Sequence, residues 1–111
     1  WLVNIGANVL ARNPIDSTPL MEAAHNGHLK ILQLLHKNGA ALDSYDSEKV
    51  RPIHLASASG HLDIVMYLEA NSIAVDQPDI HGKTPFLYAC SGGHLELAQW
   101  LRDKNVNVIS I

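Results

Sequence analysis

The sequence predicts an all-α solenoid of stacked helix-turn-helix pairs joined by β-turns. The first observation is that two dipeptides, Thr-Pro or Arg-Pro and then Gly-His, each recur with a constant 33-residue period. A unit this short cannot bury its own apolar face, so the units must stack side by side. The second observation is the apolar arc of about 220° on the helix after each Gly-His, which is wider than one core requires. The dipeptides are Thr18-Pro19, Arg51-Pro52, Thr84-Pro85, Gly27-His28, Gly60-His61 and Gly93-His94.

Each unit is predicted to hold two antiparallel helices. The first helix begins at the proline, behind a threonine cap in two of the three units, and the second begins after Gly-His. Helices of about 8–11 residues do not persist alone in water, so packing must hold them. Ala23, Ala56 and Ala89 occupy one site on the first helices. Their small side chains favour close approach of neighbouring backbones.

The aligned units resemble the ankyrin repeat family. They read TPLMEAAHNGHLKILQLLHKNGA from Thr18, RPIHLASASGHLDIVMYLEANSI from Arg51 and TPFLYACSGGHLELAQWLRDKNV from Thr84. The family pattern is Thr-Pro-Leu-His-x-Ala-Ala-x-x-Gly-His, an apolar helix, and Gly-Ala before a turn. The resemblance covers essentially the whole chain, because Gly6-Ala7 precedes Gly39-Ala40 by the same interval.

The register divides a single domain, residues 1–111, into a remnant and three repeats. Residues 1–13 are the end of a preceding repeat, 14–46 and 47–79 are complete, and 80–111 form a truncated repeat. Trp1 lacks its preceding helix, and the tail 106–111 lacks the polar outer face of a terminal repeat. We therefore expect weak self-association through these uncapped ends.

Composition excludes several functional classes. No apolar run approaches the roughly 20 residues that a membrane-spanning helix needs, so we expect no membrane insertion. The single Cys90 excludes an internal disulfide framework, and no Asn-x-Ser/Thr acceptor occurs, which together favour an intracellular location, cytoplasmic or nuclear. Eight basic residues scattered among eleven acidic ones give a net charge of −3, which argues against nucleic acid as a partner.

The histidines at the three Gly-His sites look like a ladder of metal ligands. Neighbouring helix axes lie about 8–10 Å apart, whereas zinc ligands lie about 2 Å from the metal. His28, His61 and His94 are therefore too far apart to share one ion, and we predict that they tie adjacent turns together through hydrogen bonds. No metal site and no cofactor are expected.

Other candidate chemistry is equally sparse. The sequence holds no glycine-rich phosphate loop, no Gly-x-Ser-x-Gly and no Cys-x-x-Cys, so we expect no catalysis. Cys90 replaces the second alanine of the family pattern and is predicted to be a small buried side chain. Asp76 and Asp79 fall on turns, where carboxylates satisfy local backbone donors.

The resemblance implies a protein partner held by the turn tips and the exposed side of the first helices, the concave face. Several apolar residues fall there, where solvent alone would favour polar ones, which indicates recognition. Partial burial by neighbouring turns is the alternative. We expect Leu55 and Tyr88 to form an apolar centre rimmed by charged side chains. The candidate partner-binding residues are Ile15, Glu22, His25, Glu48, Val50, Leu55, Ile80, His81, Lys83 and Tyr88.

Two other functions fit the same sequence. The segment could recruit substrates to, or regulate, a larger multidomain enzyme or channel. It could also be a purely architectural interior part of a longer repeat array, although the apolar Leu55 and Tyr88 weigh against that.

The middle repeat departs furthest from the family pattern. No repeat keeps both the threonine and the histidine of Thr-Pro-Leu-His, so we expect a stability below that of a consensus array. The glycine of the turn corresponds to Asp16, Lys49 and Gly82, and lysine tolerates a left-handed backbone poorly. Because Arg51 also replaces the capping threonine, we predict that the middle repeat is the least stable junction.

Overall fold

The computed structural model describes residues 18–104, and their regular structure consists of six helices. The helices form three successive pairs, which confirms the predicted all-α stack. Ile15, Asp16, the remnant 1–13 and the tail 106–111 lie outside the described residues. In chain order the helices are α1 (Pro19–Asn26), α2 (Leu29–Lys37), α3 (Pro52–Ser59), α4 (Leu62–Ala70), α5 (Pro85–Ser91) and α6 (Leu95–Lys104).

The first helix of each pair begins at its proline. The hydroxyl oxygens of Thr18 and Thr84 accept hydrogen bonds from the backbone N–H groups of Met21 at 3.2 Å and Leu87 at 3.4 Å. These bonds satisfy donors that a helix N-terminus leaves free. The middle pair starts instead at Arg51, whose side chain has no acceptor atom.

First helices pack on first helices, α1 against α3 and α3 against α5, and each second helix packs on its partner. The predicted alanine site lies at these contacts, with Ala23 3% exposed and both Ala56 and Ala89 fully buried. Leucine, isoleucine and valine from the second helices complete one continuous core. No helix within residues 18–104 is long and apolar enough to cross a membrane.

The Gly-His histidines bridge neighbouring repeats. The His61 ring lies 3.1 Å through Nε2 from the backbone oxygen of His25, and the His94 ring lies 3.0 Å from that of Ala58. In both contacts the imidazole N–H donates to a backbone carbonyl of the preceding repeat. The predicted structural role is confirmed at these two histidines.

The glycines of the first two Gly-His dipeptides have two roles. Gly27 and Gly60 end their helices with φ of 78° and 79°, in the left-handed region. A Cβ added at either glycine would lie 2.6 Å or 2.5 Å from an atom of the next repeat's imidazole, His61 or His94. Glycine therefore provides both the backbone turn and the space for the ring.

Candidate functional site

The turn before α3 is organised by one carboxylate. Asp46 Oδ1 accepts hydrogen bonds from the backbone N–H groups of Glu48 at 2.8 Å and Val50 at 2.9 Å. The Asp46 N–H in turn donates to the Val50 carbonyl at 3.1 Å. Lys49 has a φ of 62°, so the positive φ that the register implies for this position is present.

The turn before α5 repeats this arrangement. Asp79 Oδ1 accepts from the N–H groups of His81 at 2.8 Å and Lys83 at 2.9 Å. Gly82 has the matching left-handed conformation, with a φ of 81°. Asp79 therefore satisfies local backbone donors, as predicted, while Asp76 is simply exposed.

The two turn tips are bonded to each other. The Ile80 N–H donates to the Glu48 carbonyl at 2.9 Å. The Glu48 side chain is exposed, and that of Ile80 is 56% exposed. A large apolar side chain thus projects into solvent from a backbone whose position is already fixed.

Tyr88 connects α5 to its own turn. Its hydroxyl donates to Asp79 Oδ2 at 2.5 Å, and its half-buried ring lies 5.1 Å from the His54 ring and 5.0 Å from Lys83 Nζ. Burial raises the pKa of Tyr88, and the hydrogen bond to the carboxylate acts in the same direction. Tyr88 consequently has structural contacts that the sequence analysis did not foresee.

The pKa of Asp79 reflects the same contacts. Burial alone would raise it, but hydrogen bonds from the Tyr88 hydroxyl and from the Lys83 and His81 amides stabilise the carboxylate. The net result is a pKa below the ordinary value of an aspartate. The turn therefore contains a charged carboxylate whose two oxygens both accept hydrogen bonds, rather than a general acid.

His54 performs an unforeseen function at the middle helix start. The fully buried ring accepts the Arg51 N–H at Nδ1, 2.9 Å, and pairs through Nε2 with the Gln77 carbonyl, 2.6 Å. Because the carbonyl is only an acceptor, the proton lies on Nε2. Burial lowers the pKa of His54, against the Gln77 bond that raises it. The histidine thus caps α3 and connects it to the segment between α4 and α5.

Tyr45, on the middle turn, was also missed. It is 45% exposed, and Lys49 Nζ and the Arg51 guanidinium carbon each lie 4.9 Å from its ring centroid. Such distances allow cation–π attraction. The sequence signal for this contact was an aromatic residue followed by cationic residues four and six positions later.

The predicted partner-binding residues divide by exposure. Val50 is only 9% exposed and contributes little to the surface, because its side chain turns into the stack. Leu55 and Tyr88 are half-buried, and Ile15 lies outside the described residues. The exposed candidates are Glu22, His25, Glu48, Ile80, His81 and Lys83.

Cys90 was predicted to be buried, and this prediction was wrong, because the side chain is exposed. The corresponding Ala24 and Ser57 are fully buried, since the next repeat's first helix packs over each of them. No described helix packs over Cys90. Within residues 18–104, no group of three or more His, Cys, Asp or Glu side chains could hold a metal ion.

A family model described as ankyrin repeats (3 copies) matches residues 1–79 and, overlapping with that match, residues 20–110. A search of curated proteins found no match.

Proposed function

The chain belongs to the ankyrin repeat family, and from that premise we propose that it binds a protein partner through its concave face and has no catalytic activity of its own. Ankyrin repeats are in general protein–protein interaction modules. We define the concave face by the two bonded turn tips and the exposed sides of α1, α3 and α5. We further propose that the chain acts inside the cell.

The observation that carries this proposal is Ile80. Its backbone is bonded to the neighbouring tip, yet its side chain is 56% exposed. The fold gains little from an apolar side chain in that position, whereas a partner gains a preorganised contact. Leu55 lies half-buried on α3, and the charged Glu48 and Lys83 lie on the two turns. An apolar anchor with charges around it suits a small interface hot spot.

The test compares one side chain on each face. Ile80→Ala removes an exposed apolar side chain from the concave face, and Met66→Ala removes one from the outer helix α4, where Met66 is 47% exposed. We expect Ile80→Ala to weaken the affinity for a partner about tenfold or more. Met66→Ala, Gln33→Ala and Gln99→Ala on the outer helices should leave the affinity nearly unchanged.

The partner would be recovered with the full chain by cross-linking and identified by mass spectrometry, and its Kd then measured for each variant. Leu55→Ala adds a second concave position. Tyr88 is left out of this series, because any substitution that removes its hydroxyl also removes the bond to Asp79. Circular dichroism checks that each variant is folded. Loss of binding in Met66→Ala together with normal binding in Ile80→Ala would place the interface on the outer helices instead.

A further inference from the structure

Three cationic side chains on the turns before α3 and α5 each lie against an aromatic ring. Lys49 Nζ and the Arg51 guanidinium carbon are each 4.9 Å from the centroid of the Tyr45 ring. Lys83 Nζ is 5.0 Å from the centroid of the Tyr88 ring. Such contacts restrict the positions of long, flexible side chains, so less conformational entropy is lost when these side chains bind. The two turns therefore hold their cations close to fixed positions.

No carboxylate of residues 18–104 forms an ion pair with any of these three cations. The ion pair that this part of the chain does contain joins Lys104 to Glu69, at 3.7 Å, on the outer helices. The Nε and Nη1 atoms of Arg51 are buried and have no acceptor among the described residues. A buried donor without an acceptor costs free energy, which an acceptor supplied by a partner would recover. Because the Arg51 side chain is only half-buried, part of it remains accessible to a partner.

The carboxylates of the same turns have different surroundings. Asp46 and Asp79 each accept hydrogen bonds from two backbone N–H groups of their own turns, which partly compensate the negative charge. Glu48 is exposed and forms no ion pair within the described residues. Its charge disfavours another carboxylate close to it, whereas the three cations favour one.

We propose that the partner bound at the concave face presents an acidic protein segment, in which aspartate or glutamate side chains flank an apolar residue. The apolar residue contacts Ile80, and one carboxylate accepts hydrogen bonds from the Arg51 guanidinium. Other carboxylates approach Lys49 and Lys83. Arginine suits its contact because its planar fork binds a carboxylate through two hydrogen bonds, whereas lysine acts as a point charge. This inference rests on the proposed function, since it names the chemistry of the partner of the same face.

The first experiment uses a library of random short peptides displayed on phage and selected on the immobilised full chain. We expect the selected peptides to be enriched in aspartate and glutamate beside an aliphatic or aromatic residue. Selection on a triple variant that combines Lys49→Gln, Arg51→Gln and Lys83→Gln should remove this enrichment. Circular dichroism checks that the triple variant is folded.

A matched triple variant separates a local site from the overall charge of the chain. Lys30→Gln, Lys37→Gln and Arg102→Gln together remove the same number of positive charges from exposed positions of the outer helices. This control should select acidic peptides as the wild type does. Equal loss of the enrichment in both triple variants would mean that only the net charge matters, which overturns the proposal.

Single substitutions are then compared by fluorescence anisotropy with the most enriched peptide. Arg51→Gln and Arg51→Lys should each weaken the affinity about tenfold or more, because lysine keeps the charge but loses the paired donors. Glu48→Gln should strengthen the affinity a few-fold, since it removes a like charge beside the peptide. The Glu48 side chain is exposed, so its substitution tests the proposal without affecting the core. Weaker binding in Glu48→Gln would contradict an acidic partner.

The remaining outcomes distinguish this inference from the proposed function. Selected peptides that depend on Ile80 but carry no excess of acidic residues would overturn the inference and leave the proposed function intact. Acidic peptides that need the three cations but bind Ile80→Ala normally would support the acidic partner and contradict the apolar anchor. Tighter binding of an oligothymidylate than of any selected peptide, lost in the first triple variant, would assign the cations to nucleic acid. That result, or a library without any peptide that prefers the wild type to this variant, would overturn the inference.

Discussion

In the turns before α3 and α5 one aspartate oxygen accepts hydrogen bonds from two backbone N–H groups, but different side-chain bonds stabilise the helix that follows each turn. In the middle repeat Lys49 holds a left-handed backbone and Arg51 gives no side-chain cap. The buried His54 bonds to its own helix start and to Gln77, 23 residues further on. The start of α3 therefore depends on a bond to a segment that is distant in sequence, between α4 and α5.

At the start of α5 the bonds join residues that are close together in sequence. Gly82 takes the left-handed position, the Thr84 hydroxyl caps α5, and Tyr88 bonds to Asp79. The two turns thus have the same backbone conformation but are stabilised by different side-chain interactions. A missing consensus residue is therefore a poor guide to stability unless the replacing contacts are known.

The largest expected effect tests the middle repeat. His54→Ala should lower the free energy of unfolding by about 2–4 kcal/mol, since it leaves a cavity and removes partners from the Arg51 amide and the Gln77 carbonyl. Leu87→Ala, the matched substitution in the third repeat, should cost under about 1 kcal/mol because Leu87 is 44% exposed. Urea unfolding measures both. Similar losses in the two variants would remove the asymmetry between the repeats.

The next largest loss of stability is expected for Tyr88→Phe, in the third repeat. Removing the hydroxyl should cost about 1–2 kcal/mol, because its acceptor is a charged carboxylate. Tyr67→Phe is the control on the outer helices, where the hydroxyl pairs with His36 Nδ1 at 2.7 Å, and should cost about 0.5–1 kcal/mol. If Tyr88→Phe unfolds at the wild-type urea concentration, the turn is stable without its bond to α5.

Substitutions at the two left-handed turn positions should change the free energy of unfolding in opposite directions. Lys49→Gly should raise the free energy of unfolding by roughly 0.5–1 kcal/mol, because it relieves strain at a φ of 62°. Gly82→Ala, with a φ of 81° and no atom near its added Cβ, should lower it by a similar amount. The midpoints of urea unfolding report both changes. A decrease in Lys49→Gly would mean that the lysine side chain contributes more than its backbone strain costs.

The smallest effect is a dependence on pH. The pKa of His54 is lowered by burial, so the unfolded chain takes up the proton before the folded chain does as pH falls. The stability from neutral His54 is complete above about pH 6.5 and decreases below it. Subtracting the profile of His54→Gln from that of the wild type isolates this contribution from the other histidines. A difference that stays constant between pH 7.5 and about 5 would contradict the assignment.

The repeat pattern predicted the scaffold closely. The constant interval between the dipeptides fixed the helix pairs, and the spacing argument against a shared metal correctly led to hydrogen-bonded histidines. These features depend on backbone register, which a repeated sequence states directly. The choice of partner face remains a prediction, since stacking leaves the turn tips free to vary.

The features that the sequence analysis missed depend on contacts in the folded chain. Cys90 was expected inside because its counterparts are inside, but burial depends on what packs over a position. The bond from Tyr88 to Asp79 was not foreseen, because it requires a particular turn geometry. The role of Tyr88 as a partner contact stays a prediction. The middle repeat was judged by the loss of its threonine, while the bonded His54 and Gln77 lie 23 residues apart. Whether that repeat is the least stable junction is decided by the His54→Ala measurement.

The Gly-His interlock also bears on how such a chain can grow. Gly60-His61 carries half of two junctions, since Gly60 receives the imidazole of His94 and His61 fills the space at Gly27. A gene duplication that copies one whole repeat in register therefore supplies a matching half on each side at once. A duplication out of register would place a side chain against an imidazole, or leave a carbonyl without its donor. The contacts that hold the existing repeats together are thus the same contacts that a duplicated repeat needs.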